Sequence, residues 1–279
     1  MLDRKKKKII RKIFSVFLIY CLLLLIAVIC AGPFCWMFSA SFKSGQNIYS
    51  TSLFFKNPTL ANYIGVINFM SLPKYFFNTV FITIGAILVD VIFASLCAYP
   101  LALMDFPGKK IIFGSLIASM IIPAAAGLVI IYMIVTKLHL INTFAGVIIP
   151  SSLTVFSIIL LNQAYLGVPR ELMDAARIDG AGDLKIWGKI MLPSIKPAIS
   201  TIIIFDFIAH WNNFLWPIII LQDPQKYPIA TALKYLSGQF NYKFGYVAAG
   251  TIISIIPVII VFLAFQKNYI EAVTGAVKG

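Results

Sequence analysis

The segment from Ile13 to Phe38 carries no charged residue. A helix of about 20 apolar residues spans the hydrocarbon core of a bilayer, so this run is long enough to cross. It follows the basic cluster Arg4, Lys5, Lys6, Lys7, Lys8, Arg11 and Lys12. A secretory signal also starts basic, but its apolar region covers only about 7–15 residues before a small-residue cleavage site. The run therefore reads as a retained first helix. Similar runs lie at about Tyr75–Met104, Ile111–Thr136, Ala145–Val168, Ala198–Leu221 and Gly245–Phe265, giving six spans. They are continuously apolar rather than alternating, which favours helices over a β-barrel. The expected fold class is an all-α polytopic membrane protein with six transmembrane helices. Hydrophobic residues make up 60% of the chain and charged residues 12%, which excludes an ordinary soluble domain and leaves no length for a large soluble catalytic one.

Net charge is +13, from 23 Lys and Arg against 10 Asp and Glu. In a soluble protein that excess suggests nucleic acid; among membrane spans it reports topology, because basic residues stay on the cytoplasmic side. Of the 23, 16 fall on one side: the N-terminus, Lys109 and Lys110, the stretch 169–197 and the C-terminal tail. The other 7 are spread over the longer opposite connections. Both termini are expected to face the cytoplasm, with the basic N-terminus beside anionic lipid and no nucleic-acid partner.

Cys21, Cys30, Cys35 and Cys97 lie within apolar runs without metal-ligand spacing, so packing is the expected role and no metal site is expected. The sequence contains no P-loop, HExxH pair, GxSxG turn or dinucleotide fingerprint. Any energy-driven process would draw its ATPase from another chain. Repeated three-helix halves, the mark of many secondary transporters, are not visible. Pro123, Pro150 and Pro257 interrupt backbone hydrogen bonding inside spans and permit kinks.

Between the fourth and fifth spans lies VPRELMDAARIDGAGDLKIWGKIMLP, residues 168–193. Pro169 suits a first helical turn, and Glu171 and Asp174 suit the positive end of a helix dipole. Gly180 marks a left-handed stop. A helix of about three turns is expected, then an amphipathic stretch with Leu184, Ile186, Trp187 and Ile190 ending before Pro193. Ala175 and Ala176 leave backbone open to close approach, while Glu171, Asp174 and Asp179 offer acceptors to a basic partner. An amphipathic pair lying on the membrane surface fits these physical features equally well.

The string resembles the EAA loop of permease subunits of binding-protein-dependent ABC importers. The family pattern is Glu-Ala-Ala, three residues, Gly, nine residues, Ile, one residue, Leu-Pro. Asp174, Ala175, Ala176, Gly180, Ile190, Leu192 and Pro193 keep every spacing, with Asp174 shorter by a methylene than the family's Glu. Further similarity to the carbohydrate subfamily, particularly its maltose-type second permease, lies in 138–150, in Trp211-Asn-Asn-Phe-Leu-Trp-Pro217 and in the end of the chain. The resemblance implies a type I ABC importer permease: a basic segment 1–12, a first helix 13–38, an extracytoplasmic loop 39–73, a core 74–266 with its coupling loop at 169–193, and a tail 267–279. It also implies a second, homologous permease, two ATPase subunits holding ATP and Mg, an extracytoplasmic solute-binding protein, and a sugar as cargo. The chain itself would be no enzyme, and would sit in a bacterial or archaeal cytoplasmic membrane.

Polar groups within spans mark where solute would pass, since each costs several kcal/mol if unpaired. Asp206 and His210 share one helical face, Asn213 follows a turn later, and Trp211, Asn212 and Trp216 lie close in sequence. The carboxylate, amides and aromatic rings suit a sugar; equally, Asp206 and His210 would pair with each other, and the tryptophans would anchor at the membrane interface. Asp90 is a further candidate, or else is capped within the bundle near Ser95 and Tyr99. The outer stretch from Asp223 to Tyr242, with Tyr227, Tyr235, Phe240 and Tyr242, would meet the binding protein or pack on the membrane surface. A polyol or glycerophosphate permease, an ion-coupled secondary transporter, and a membrane enzyme using Asp90, Asp206 and His210 are the alternatives.

Overall fold

The computed structural model describes residues 2–45, 48, 50–54, 57–238 and 244–277, with side chains throughout except at 2–11, 124 and 266–277. Phe240 and Tyr242 of the outer stretch lie outside the described residues. Two compact units are present, one of residues 1–70 and 239–253, the other of 71–238 and 254–279.

The first unit contains α1 (Leu2–Ser41), α2 (Ala61–Phe69) and the start of a long last helix. Between Ile13 and Ile29, α1 is exposed on every side, as expected of a helix whose surroundings are lipid or another chain. Its end is fixed by polar contacts. The buried Lys43 ammonium donates to the carbonyls of Ser50 and Ser52, and the Asn62 amide donates to the carbonyls of Ser41 and Lys43 at 2.9 and 2.7 Å.

The second unit is built around α3 (Leu72–Leu103). Every fourth residue from Asn78 through Ile82, Ala86, Asp90, Ala94 and Ala98 to Ala102 is buried, forming one stripe along the helix. Small residues on such a stripe let neighbouring helices approach closely. α4 (Lys109–Ser119) and α5 (Ala124–Lys137) divide the third apolar run, because Pro123 is extended and starts the second helix afresh. The fourth run likewise splits into α6 (Phe144–Ser152) and α7 (Val155–Leu166), bent by 48°. In the segment 169–193 come α8 (Glu171–Ile178), α9 (Asp183–Ile186), a π turn at Trp187–Met191 and α10 (Leu192–Ser194). α11 (Lys196–Trp211) and α12 (Leu215–Ile220) form the fifth run, α13 (Ile229–Ser237) the outer stretch, and α14 (Phe244–Val277) the last helix.

α7 and α11 pack on α3, and their shared core extends to Met173, Ala176, Ile186 and Met191 of the segment 169–193. Among the described residues, three helices are long and apolar enough to cross a membrane alone, and two bent pairs reach the same length. All four cysteines are exposed on helix surfaces rather than packed inside.

Candidate functional site

The segment 169–193 is held by its own backbone. Pro169 and Arg170 accept the first bonds of α8, from Leu172 at 3.4 Å and Met173 at 2.9 Å. At the other end Gly180 takes a φ of +77°, and the N–H groups of Gly180 and Ala181 donate to the carbonyls of Arg177 and Ala176 at 3.0 and 2.9 Å. The left-handed stop at Gly180 therefore forms. α8 is shorter than three turns, with eight residues. Its buried face is Met173 and Ala176, so only Ala175 of the alanine pair is open to approach. Glu171, Asp174 and Asp179 are exposed together with it.

Beyond Gly180 the helical path runs through Pro193 rather than stopping before it. The π turn at Trp187–Met191 leads into α10, whose first turn tolerates a residue lacking an N–H, and the chain breaks at Ile195 with a 79° bend into α11. Ile186 and Met191 are buried, Ile190 and Leu192 partly so, while Leu184 is 76% exposed instead of packing. Ile178 is 87% exposed, and the Arg177 guanidinium reaches Asp183 at 3.2 Å across the Gly180 turn. Sequence reading did not single out Ile178 or this ion pair. Two bare apolar side chains beside three exposed acids form a surface suited to a groove on another protein.

Within the bundle, Asp90 has no exposure and serves a structural purpose. Its Oδ1 accepts the Thr154 N–H at 3.0 Å, and its Oδ2 accepts the Ser157 hydroxyl at 2.5 Å and the Thr154 hydroxyl at 3.4 Å. Thr154 is the N-cap of α7, immediately after the bend, so the carboxylate satisfies the orphan donors of a helix starting inside the membrane. Ser95 and Tyr99, the expected partners, point elsewhere: Ser95 donates to the Ile92 carbonyl at 3.0 Å and Tyr99 to Met173 Sδ at 3.7 Å. Asp206 of α11 stands beside Asp90, carboxyl against carboxyl. Asp206 and His210 are both buried, yet no ion pair joins them among the described residues.

The aromatic candidates are committed to packing. Trp211 Nε1 donates to the Ser254 carbonyl at 3.0 Å while its ring stacks on Phe207, and Trp216 Nε1 donates to the Gly146 carbonyl at 3.1 Å. Both indoles are buried, which leaves neither a free face for solute. Asn213 accepts the Trp216 N–H at 3.4 Å, and the exposed Asn212 donates to the Ile208 carbonyl at 2.8 Å.

The outer stretch is embedded against α3 and α12 rather than spread on the surface. Asn78 donates to the carbonyls of Gln225 and Tyr227 at 2.9 and 3.1 Å, and Thr79 accepts the Ile229 N–H at 2.8 Å. Asn142, at a φ of +58°, accepts the N–H groups of Gln222 and Asp223 on its side chain and the Lys226 ammonium on its carbonyl. Burial pushes the Tyr227 phenol above its ordinary range, with Tyr235 and Asp223 adding to it, so it stays neutral. Sequence reading passed over Asn78 and Asn142; Asn142 is among the residue types that tolerate a left-handed turn.

Comparison with known proteins places this architecture. Residues 90–273 match the model of the family described as binding-protein-dependent transport system inner membrane component. An arabinooligosaccharides transport system permease of Bacillus subtilis is 35% identical over 74% of this chain and 74% of its own. A melibiose/raffinose/stachyose import permease of the same organism is 35% identical over 92% of this chain and 95% of its own. A diacetylchitobiose uptake permease of Streptomyces coelicolor is 29% identical, covering 91% and 86%. The crystal structure of a bacterial ABC transporter involved in alginate import contains a chain that superposes with a TM-score of 0.83 at 27% identity, covering 92% of this chain and 96% of that one. The chain is thus a multi-pass, six-helix membrane protein of the type I ABC importer permease fold, and it belongs to the binding-protein-dependent transport system inner membrane component family.

Proposed function

We propose that this chain is one of two related permease subunits that together form the membrane pathway of an ATP-driven importer for a sugar or oligosaccharide. The observation that carries the reading is the segment 169–193: a capped helix, a left-handed turn at Gly180, and an exposed surface of Ile178, Leu184, Glu171, Asp174 and Asp179. Such a surface takes up force from a partner while Met173, Ala176, Ile186 and Met191 pass it to the bundle. Asp174, Ala175, Ala176, Gly180, Ile190, Leu192 and Pro193 are the coupling residues by match to the family pattern. The ATPases, two of them, would hold ATP and Mg, and this chain would hydrolyse nothing.

The solute-binding protein is supported by the family's description, and the cargo class by the arabinooligosaccharide, melibiose and diacetylchitobiose permeases among the relatives. Asp206, His210, Asn212 and Asn213 are the polar pathway candidates of α11 and its end; Trp211, Trp216 and Asp90 support the walls. Both termini face the cytoplasm of a bacterial or archaeal cell, which leaves α13 and the outer ends of α11 and α12 toward the binding protein.

The test is co-expression with the candidate partner permease, ATPase and solute-binding protein, followed by uptake of labelled oligosaccharides into proteoliposomes. Uptake should require ATP, the binding protein and all membrane subunits. Uptake driven by an ion gradient without any ATPase would refute the reading, and uptake confined to polyols or glycerophosphates would refute the cargo class.

A further inference from the structure

Where the end of α3 meets the segment 169–193, a cavity of about 230 Å³ is walled by Leu96, Pro100 and Met104 on one side and by Asp183, Leu184 and Trp187 on the other. Asp183 is the one charged residue of its lining. Pockets that enclose small ligands run to about 300–1,000 Å³, so this one is too small for an oligosaccharide and suits a single slender chain. Leu96, Pro100 and Met104 stand four residues apart on α3, on one face of the helix. The same stripe continues through Ile92, Leu88 and Ile84, which are 46%, 55% and 52% exposed. The cavity is therefore the end of an apolar track along a membrane helix.

Its depth and its rim point to one kind of occupant. At about 1.5 Å per residue the 32 residues of α3 reach about 48 Å, slightly more than the about 40–45 Å of a bilayer with its headgroups. The last two turns, which carry the cavity, thus lie at headgroup level. The path 183–194 is bent by 79° from α11, so it runs nearly flat in the membrane plane where α11 crosses it. At the rim, Lys109 Nζ donates to the Met104 carbonyl at 2.8 Å, and the Arg177 guanidinium donates to Asp183 Oδ1 at 3.2 Å. Arg177 neutralises the acid of the lining, Asp105 stands a looser 3.7 Å from Lys109, and both cations keep further N–H donors. The stretches 105–110 and 177–189 together carry five Lys and Arg against three Asp.

We propose that this cavity is a binding site for an anionic phospholipid, with an acyl chain following the α3 track into the cavity and the phosphate held by Lys109 and Arg177. An apolar cleft that opens at headgroup level beside surplus basic charge complements both halves of such a lipid, and phosphate is a strong acceptor for ammonium and guanidinium donors. The lipid touches α3 and residues 183–187 at once, and so steadies the segment against the bundle. None of the residues proposed for the solute pathway lines this cavity.

The test uses the full chain in phosphatidylcholine nanodiscs, alone and in the assembled transporter, doped with phosphatidylglycerol carrying a photoreactive diazirine on its acyl chain. Labelled peptides are mapped by mass spectrometry. Labelling should concentrate on the peptides with Leu96–Met104 and Leu184–Trp187, and diazirine phosphatidylcholine should label them several-fold less. Lys109→Gln and Arg177→Gln should each lower this labelling about fivefold, the effect of one basic residue near a charged membrane surface, while Lys109→Arg restores it. Leu96→Trp, which fills the cavity, should abolish it, with labelling of the lipid-exposed α1 unchanged in every variant. Should Leu96→Trp lower the thermal midpoint, the two exposed cation variants decide the matter. Equal labelling by the two lipids, or labelling of these peptides indifferent to both cation variants, would overturn the proposal. Labelling that disappears when the ATPases assemble on the chain would assign the cavity to a partner subunit and overturn it equally.

Discussion

At the scale of single residues, Gly180 and Trp216 show how differently two conspicuous positions act. Gly180 has open space around a Cβ, but its φ of +77° makes any side chain strained. A left-handed L-residue costs about 1–2 kcal/mol, so Gly180→Val should distort the turn without emptying any core. Trp216 looked like a solute or interface residue, and its indole instead fixes the Gly146 carbonyl, where a Cβ would press on the Leu140 carbonyl. Trp216→Phe should destabilise by about 1 kcal/mol, seen as a lowered thermal midpoint, with the uptake KM unchanged. Asn212→Ala is expected to do the reverse, raising the uptake KM at unchanged stability, because its side chain is exposed at the end of α11.

Among elements, the discontinuous fourth span depends most on a distant residue. Asp90 lies 64 residues before Thr154 in sequence, yet it caps the helix that begins there. Asp90→Ala would strand the Thr154 N–H and the Ser157 hydroxyl in an apolar interior and should cost about 2–4 kcal/mol, while Asp90→Asn, which retains an acceptor, should cost about 1 kcal/mol. Thermal unfolding of the purified protein distinguishes the two. Local signals in the sequence were sufficient for the apolar runs, the start of α8 near Pro169 and the stop at Gly180, since each depends on neighbours within a turn. Pro123 marked its own break, whereas the one at Thr154 was hidden inside an uninterrupted apolar stretch, because hydrophobicity alone does not report where a helix restarts. The partners of Asp90, Trp211 and Trp216 were hidden too, being set by packing between segments far apart in sequence.

For the whole molecule, the scarce charge is unevenly spread. Four of the ten acids, Glu171, Asp174, Asp179 and Asp183, gather in the segment 169–193, Asp183 already paired with Arg177. That pair is half exposed, so Asp183→Ala should alter stability by less than about 1 kcal/mol. The solute pathway was the least legible part, because this chain's aromatic candidates are spent on its own packing. The central claim is that ATP hydrolysis on partner subunits reaches the pathway through residues 169–193. Its most direct measurement is ATP-dependent uptake, with co-purification of the ATPase, for the Gly180→Val, Asp174→Lys chain in the assembled transporter. The account predicts a chain that inserts normally, loses the ATPase and takes up no solute. Normal uptake by this variant, or uptake by the parent chain with no ATPase present, would contradict it.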